Sequence, residues 1–316
     1  HYANYKVVVC DNASTDDSVE KIKAWAKGII ATPNESTLDP TLNRLVNPRL
    51  PKPFKLVEYS EEEAENIEIN EKQENGRNGK NGHEPSIVLI RNRENRGFSA
   101  GNNIGIKYAI KKNADFIWVL NNDTVVEPDA LKELVYRMDA DRTIGAAGTV
   151  IYYSNEPGRI QAYGGGKIIP SIGVERFVYG PGPLHYIAGT SLFVRRKVFE
   201  QVGLLDDGFF FYWEDADFSR RVMQKNWKLG VASNSVIYHK FSATIGKQSL
   251  GADKFKAASL TRYFRKHYKL WWFPVSFHMT LMVFNRLRRG QFKRIPPIIK
   301  ESLKAVRLKK RDRTLN

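Results

Sequence analysis

Residues 5–10 form a short apolar run, the pattern of a strand buried inside a parallel sheet. The polar stretch that follows, Asp11 to Asp17, is rich in turn and helix N-cap residues, and Val19, Ile22, Trp25, Ala26 and Ile29 then recur at helical spacing. The alternation resumes after Ser86. Residues 87–90 predict a strand, 99–112 a helix and 116–120 another strand. Pro128 opens a helix with Leu131, Leu134, Val135 and Met138 on one face, and 144–151 is again strand-like. Residues 152–194 are glycine-rich with short strands, including 186–194. Helices are expected at 195–202 and 215–225, strands at 228–232 and 235–239, and a basic aromatic helix from Ala252 to about Tyr268. Such alternation implies an α/β fold, with a mainly parallel twisted sheet and helices on both faces. In such sheets the ligand crevice lies at the carboxyl ends of the strands, where the polar groups after Cys10, Ile90 and Leu120 converge.

The pattern breaks over residues 31–84. Five prolines between Pro33 and Pro53 precede eight glutamates between Glu58 and Glu74, and a glycine- and asparagine-rich tract covers 75–82. This stretch is expected to be a largely solvated insertion within a catalytic unit of residues 1–250. Residues 251–316 are expected to form a separate basic, aromatic helical extension.

The 316-residue chain is 42% hydrophobic and 12% aromatic, which suits a folded protein. Its net charge of +16 is concentrated at one end: 16 Lys and Arg stand against Glu301 and Asp312 from Arg262 onward, leaving 34 basic and 32 acidic groups before it. That distribution argues against a nucleic-acid-binding surface spread over the whole molecule. A single cysteine, Cys10, excludes an internal disulfide and fits a reducing cytoplasm. No stretch of 18 apolar residues occurs. The chain begins at His1 and enters a strand almost at once, as expected of a segment of a longer gene product.

Four segments carry chemistry. The apolar strand ending in Asn121-Asn122-Asp123-Thr124 aims one carboxylate at the crevice, suited to a hard divalent cation that bridges phosphate oxygens. Five aromatic residues, 209–213, run into Glu214-Asp215-Ala216-Asp217, and three acids so placed are costly unless their charge is used. Helix capping accounts for part of that charge. His239 closes another apolar run, as a packed residue or as a second metal ligand beside Asp123. The loop 95–103 offers glycines and a helix N-terminus to a diphosphate.

In order along the chain, Val9-Cys10-Asp11-Asn12-Ala13-Ser14-Thr15-Asp16, Glu94-Asn95-Arg96-Gly97-Phe98 with Gly101-Asn102-Asn103, Leu120-Asn121-Asn122-Asp123-Thr124, Gly189-Thr190-Ser191, Gly203-Leu204-Leu205-Asp206, Glu214-Asp215-Ala216-Asp217 with Arg221, and His239-Lys240 resemble the family 2 glycosyltransferases, especially rhamnosyltransferase-like members. The resemblance implies a GT-A fold, a nucleotide-diphospho-sugar donor, a glycan or lipid-linked glycan acceptor, and inversion at the anomeric carbon. It assigns Asp11, Asn12, Gly97, Asn102, Asn103, Asn121 and Asn122 to the nucleotide sugar. Asp123 and His239 go to Mg²⁺ or Mn²⁺, and Asp215 is the general base. Trp213, Glu214, Asp217, Arg221, Gly189 and Thr190 go to acceptor contacts or support of the site.

Two positions depart from the family pattern. Many relatives carry Arg where Asn102 stands, and a central strand usually precedes the one at Tyr5; without it the sheet would have a gap. The C-terminal segment sets Trp271, Trp272, Phe273, Phe277, Met282 and Phe284 beside Arg286, Arg288, Arg289, Lys293 and Arg294, a composition suited to peripheral contact with an anionic membrane at the inner face of the cell. Alternatives are a sugar-phosphate nucleotidyltransferase, for which no glycine-rich basic loop stands near the N-terminus, a glycoside hydrolase needing two opposed carboxylates, and a non-catalytic polysaccharide- or membrane-binding protein.

Overall fold

The computed structural model describes residues 1–30, 39–46, 52–67, 86–240 and 249–307. The expected loop tract 75–82 and the basic tail 308–316 lie outside them. Along the chain come β1 (Val7–Asp11), α1 (Ser18–Lys27), α2 (Asn43–Val46), β2 (Lys55–Ser60), α3 (Glu61–Asn66), β3 (Ser86–Arg91), α4 (Gly97–Lys111), β4 (Phe116–Leu120), β5 (Thr124–Val126) and α5 (Ala130–Ala140). The second half comprises β6 (Ile144–Tyr153), β7 (Glu156–Tyr163), β8 (Gly165–Ile169), β9 (Val174–Phe177), β10 (Tyr186–Ile187), β11 (Ser191–Arg195), α6 (Arg196–Val202), α7 (Glu214–Gln224) and β12 (Lys228–His239). It ends with α8 (Leu250–His267), α9 (Trp272–Arg288) and α10 (Ile295–Arg307).

The architecture is mixed α/β. One sheet, β2-β3-β1, is wholly parallel. The larger sheet runs β4-β11-β6-β12-β5, with β7 added to β6. A mainly parallel sheet was expected; in this sheet parallel pairing is confined to β6 and β12, while β11 runs against both β4 and β6 and β5 runs against β12. The reason is connection length: the short links around β5, β7 and β11 cannot carry the chain back across the sheet as a helical crossover does. Strands β4, β6 and β12 nevertheless share one direction, so the ends of β4 and β12 lie on the same edge. A third, antiparallel sheet is β9-β8-β10.

Alternation along β6 and β11 separates two core layers. Ala146, Leu192 and Val194 face Ile106 of α4, Val198 and Phe199 of α6, and Phe218 and Val222 of α7. Ala147 and Phe193 face Leu134 and Met138 of α5 on the other side. The helices thus cover both faces, as the periodicity implies.

Two expectations need correction. Residues 55–66 are not a solvated insertion: Leu56, Val57 and Tyr59 sit in a strand in full parallel register with β3. The acid run after it begins α3, where Ser60 and Glu63 form a reciprocal capping box. Glu61 is buried, accepting from the Arg93 N–H at 2.9 Å and pairing with Arg96. Acids in a first turn complement the helix dipole, so this composition imitates a loop. Across the expected 250/251 boundary, Leu260, Tyr263 and Phe264 of α8 pack with Tyr186, Phe209 and Trp213 of the preceding part. Two near-continuous strands, expected at 228–232 and 235–239, are one strand with an irregularity between Ala232 and Val236.

Among the described residues, strand β1 pairs only with β3, and β4 only with β11. A cavity of about 3610 Å³ separates them, lined by Val7, Val8, Val9 and Cys10 on one side and residues 116–120 on the other. Burial pushes the Cys10 thiol up to about 11, which keeps it protonated and unreactive.

Candidate active site

The turn after β4 and the end of β12 meet because β5 pairs antiparallel with β12, setting Thr124 opposite His239. The Lys240 N–H donates to the Asp123 carbonyl at 3.0 Å and closes the corner. His239 Nε2 lies 3.2 Å from Asp123 Oδ1. Its other ring nitrogen, Nδ1, is 2.8 Å from Gln161 Oε1 on β7. With the Gln161 carbonyl accepting from Nδ1–H, a ring that carries no second proton would turn its Nε2 lone pair toward the carboxylate, and a cation between the two would then be held by both. Octahedral ligands about 2.1 Å from Mg²⁺ stand about 3 Å apart, so a carboxylate and an imidazole at this separation fit such an ion, with phosphate and water oxygens completing its shell. Among the described residues no group of three or more His, Cys, Asp or Glu could hold a metal by itself.

Asp215 lies in the first turn of α7. Its Oδ2 accepts from the Gly189 N–H at 2.9 Å and its Oδ1 from the Ala216 N–H at 2.8 Å. Burial holds its carboxyl above the ordinary aspartate value, against the pull of those backbone donors. The turn that begins with Gly189 also joins the two halves of the site, since the Thr190 carbonyl accepts from the Asn121 N–H at 3.1 Å. Through Gly189 and Thr190 the carboxylate of Asp215 is tied to the turn that carries Asp123.

Asp11, Asn12, Gly97, Asn102, Asn121, Asn122 and Asp123 line the cavity between the sheets. Asp11 is buried at the end of β1 and accepts from the Ser14 N–H at 3.3 Å. Asn12 bridges loops, donating to Asn95 Oδ1 at 3.0 Å and to the Gly97 carbonyl at 3.1 Å. Gly97 has φ +90°, and a Cβ there would come within 2.4 Å of the Phe210 carbonyl oxygen, so glycine is required where this loop meets the aromatic segment. Asn102 donates to the Phe98 carbonyl within its own helix at 2.9 Å.

Other expected residues are placed elsewhere. Asn103 is no donor contact: its amide bonds both the carbonyl (2.9 Å) and the N–H (3.1 Å) of Leu205, which uses its polar ends within the core. Trp213 is buried against Tyr263 and Phe264, with ring centroids 4.8 and 5.6 Å away, and supports the site from behind. Asp217 points away from Asp215 into a cluster with Arg221 Nε at 2.9 Å, His267 Nε2 at 2.7 Å and Lys266 Nζ at 2.7 Å. Burial opposes its charge, but the hydrogen bond from His267 and the charges of Arg221 and Lys266 hold its carboxyl far below the usual carboxylate range. Arg221 further donates to the Val202 and Leu204 carbonyls at 2.9 and 2.8 Å. Glu214 is buried, and burial followed by the charge of Asp215 raises its carboxyl well above the ordinary value.

Gln161 was not legible in the sequence as a site residue. It stands in a short strand of mixed polarity, and only the folding of β7 onto β6 brings it to His239.

A family model described as "Glycosyl transferase family group 2" matches residues 116–299, and the chain belongs to that family. The match crosses the expected 250/251 boundary, in keeping with the packing of α8. Among curated relatives, the chain is 28% identical over 148 residues to the low-salt glycan biosynthesis hexosyltransferase Agl10 of Haloferax volcanii, covering 43% of this chain and 46% of that protein. It is 37% identical over 71 residues to the N-acetylglucosaminyl-diphospho-decaprenol L-rhamnosyltransferase of Mycobacterium tuberculosis, covering 22% and 23%. The aligned segments thus span less than half of each relative. Solved structures similar to the chain include GalNAc-T7 with UDP, GalNAc and Mn²⁺ (TM-score 0.46, 20% identity, 58% of this chain and 37% of that one) and the mannosyltransferase PcManGT of Pyrobaculum calidifontis with GDP-Man and Mn²⁺ (TM-score 0.45, 13% identity, 96% and 66%).

Proposed function

We propose that this chain is an inverting glycosyltransferase that moves a sugar from a nucleotide-diphosphate donor to a hydroxyl of a glycan or lipid-linked glycan acceptor. Asp123 and His239 hold a divalent ion, Mg²⁺ or Mn²⁺, which when bound offsets the charge of the leaving diphosphate. Asp215 takes the proton of the attacking hydroxyl. The acceptor oxygen bonds to the anomeric carbon as the bond to the diphosphate breaks on the opposite face, which inverts that carbon without a covalent enzyme intermediate. Asp11 and the cavity residues Asn12, Gly97, Asn102, Asn121 and Asn122 border the donor. The observation that carries the reading is the Gly189-Thr190 turn, which bonds to Asp215 on one side and to Asn121 on the other.

The name of the mycobacterial relative makes rhamnose from a dTDP donor the first sugar to test and a diphospho-lipid glycan the first acceptor. Exposed Trp272, Phe273, Phe277, Leu281, Phe284 and Leu287 on α9, beside exposed Arg288, Arg289 and Lys293, support peripheral contact with an anionic membrane at which such an acceptor resides. Among the described residues no helix is long and apolar enough to cross a membrane. The decisive measurement is thermal stabilisation by UDP, GDP and dTDP, each with and without Mn²⁺. At least one should stabilise the chain only with the metal, and Asp123→Ala should abolish that dependence; no stabilisation by any of the three overturns the reading.

A further inference from the structure

The β8–β9 hairpin carries an acid on a face that is otherwise apolar. Ile168 pairs with Glu175, and Gly166 pairs with both Phe177 and Tyr186, so residues 168, 175, 177 and 186 share one face of the small sheet. On that face Ile168, Phe177 and Tyr186 pack with Phe209, Trp213 and Ala216, around the start of α7. Glu175 is partly buried and makes no hydrogen bond or ion pair among the described residues. The charged and titratable groups that face it are Asp215 and Glu214 from α7, Lys256 from α8, Tyr186 from β10 and Tyr212 from the loop before α7. Lys256 Nζ itself stands 4.9 Å from the centre of the Tyr212 ring. Glu214, only 6% exposed, also has a buried Oε2 without a partner among the described residues.

Three carboxyl groups so close cannot all ionise. Asp215 receives two backbone N–H bonds and is best placed to keep the charge. Glu175 has no such donor among the described residues, and Glu214 has only its own backbone N–H. Burial, then the charge of Asp215, push Glu175 up to about 8 against the opposing charge of Lys256. Each of these two carboxyl groups therefore presents an O–H as well as an acceptor oxygen beside the base. That is the complement of a polyol, whose hydroxyls both donate and accept.

We propose that Glu175 is an acceptor-binding residue, hydrogen-bonding a carbohydrate hydroxyl next to the one that Asp215 deprotonates. This rests on the transferase reading above. It gives the hairpin a task that neither the metal pair nor the base explains.

The test loads the full chain with Mn²⁺ and the nucleoside diphosphate that stabilises it, and titrates methyl glycosides of glucose, galactose, mannose, N-acetylglucosamine and rhamnose by saturation-transfer NMR. Wild type should bind at least one. Glu175→Ala should weaken that affinity about tenfold, the scale of one lost buried hydrogen bond, with nucleotide binding unchanged. Glu175→Gln, which keeps both a donor and an acceptor, should restore it. Wild-type affinity should fall as pH rises through about 8, and that of Glu175→Gln should not. If Glu175→Ala does not fold, the pH dependence of the Gln variant decides. Glycoside binding that ignores both Glu175 and pH, with nucleotide binding intact, overturns the proposal alone. Absence of nucleotide binding in wild type overturns the transferase reading and this proposal with it.

Discussion

Asp215 and His239 owe their chemistry to what each one touches. The carboxyl of Asp215 is made more basic by burial but kept able to ionise by the Gly189 and Ala216 N–H groups. Replacing it with Asn should lower sugar transfer by about 10²–10⁴-fold while leaving nucleotide–Mn²⁺ stabilisation in place; equal loss of both would remove its role as base. The base must be ionised to accept a proton, so kcat/KM should fall with decreasing pH through a point above the ordinary aspartate value, and a pH–rate profile shows whether it does. His239 depends on Gln161 for its orientation. Gln161→Ala should weaken Mn²⁺ affinity about 10–100-fold, read by metal titration in the presence of the nucleotide. Unchanged affinity would mean that the Nδ1 contact does not orient the ring.

At the scale of elements, α7 is held by the acid that does not serve the site. Asp217 joins α7 to α8 through Lys266 and His267, and its partner Arg221 reaches the end of α6 and the loop beyond it. In the same loop Leu205 receives both bonds of Asn103, and Asp206 pairs with Arg262 at 2.6 Å and Lys266 at 2.7 Å. The segment Gly203-Leu204-Leu205-Asp206 is therefore a junction of α4, α6, α7 and α8. Asp217→Ala removes the buried carboxylate that Arg221 and His267 share and should cost about 3 kcal/mol in urea unfolding. The sign with pH follows from its depressed value. A carboxylate held below its unfolded value stabilises the fold above that unfolded value, and the gain is lost as pH falls toward the folded one. The gap between wild type and variant in unfolding curves should be smaller at pH 3 than at pH 7. A constant gap would assign the loss to packing instead.

Across the whole molecule, charge and apolar surface gather on the C-terminal helices. Phe273, Phe277, Leu281 and Phe284 recur at helical spacing on α9 and are all exposed, with Phe284 58% and Trp272 54% accessible. Not all of the basic cluster turns outward: Arg286 is buried against Asp253 at 2.6 Å, and Arg294 approaches the same carboxylate at 3.6 Å. Arg288, Arg289 and Lys293 remain exposed, each worth about 1 kcal/mol near an anionic bilayer. The chain should co-sediment with phosphatidylserine-containing vesicles more than with phosphatidylcholine vesicles, and less as salt rises. Phe277→Glu with Phe284→Glu should reduce binding by tenfold or more, on the order of the apolar area removed; equal binding by both vesicle types and by the double variant would exclude this surface.

Local patterning was enough to place the strands that lead to Asp11, Asp123 and His239 and the helix that carries Asp215, because alternation and caps act over a few residues. It also singled out the three acids of α7, since charge after five aromatics is unusual wherever it falls. It misread 55–66, where acids that cap a helix have the composition of a loop. Which acid of α7 is tied to the turn beside Asn121 was decided by tertiary structure: Asp215 finds the Gly189 N–H, whereas Asp217, half a turn on, finds Arg221, Lys266 and His267 from two helices. Gln161 and Glu175 gain their surroundings in the same way, through hairpins that pair only once the sheets have formed. The sequence by itself determined the elements and the inventory of chemical groups. The long-range pairing of those elements decided which groups face one another, because a side chain's charge state and partners depend on neighbours that lie far away along the chain.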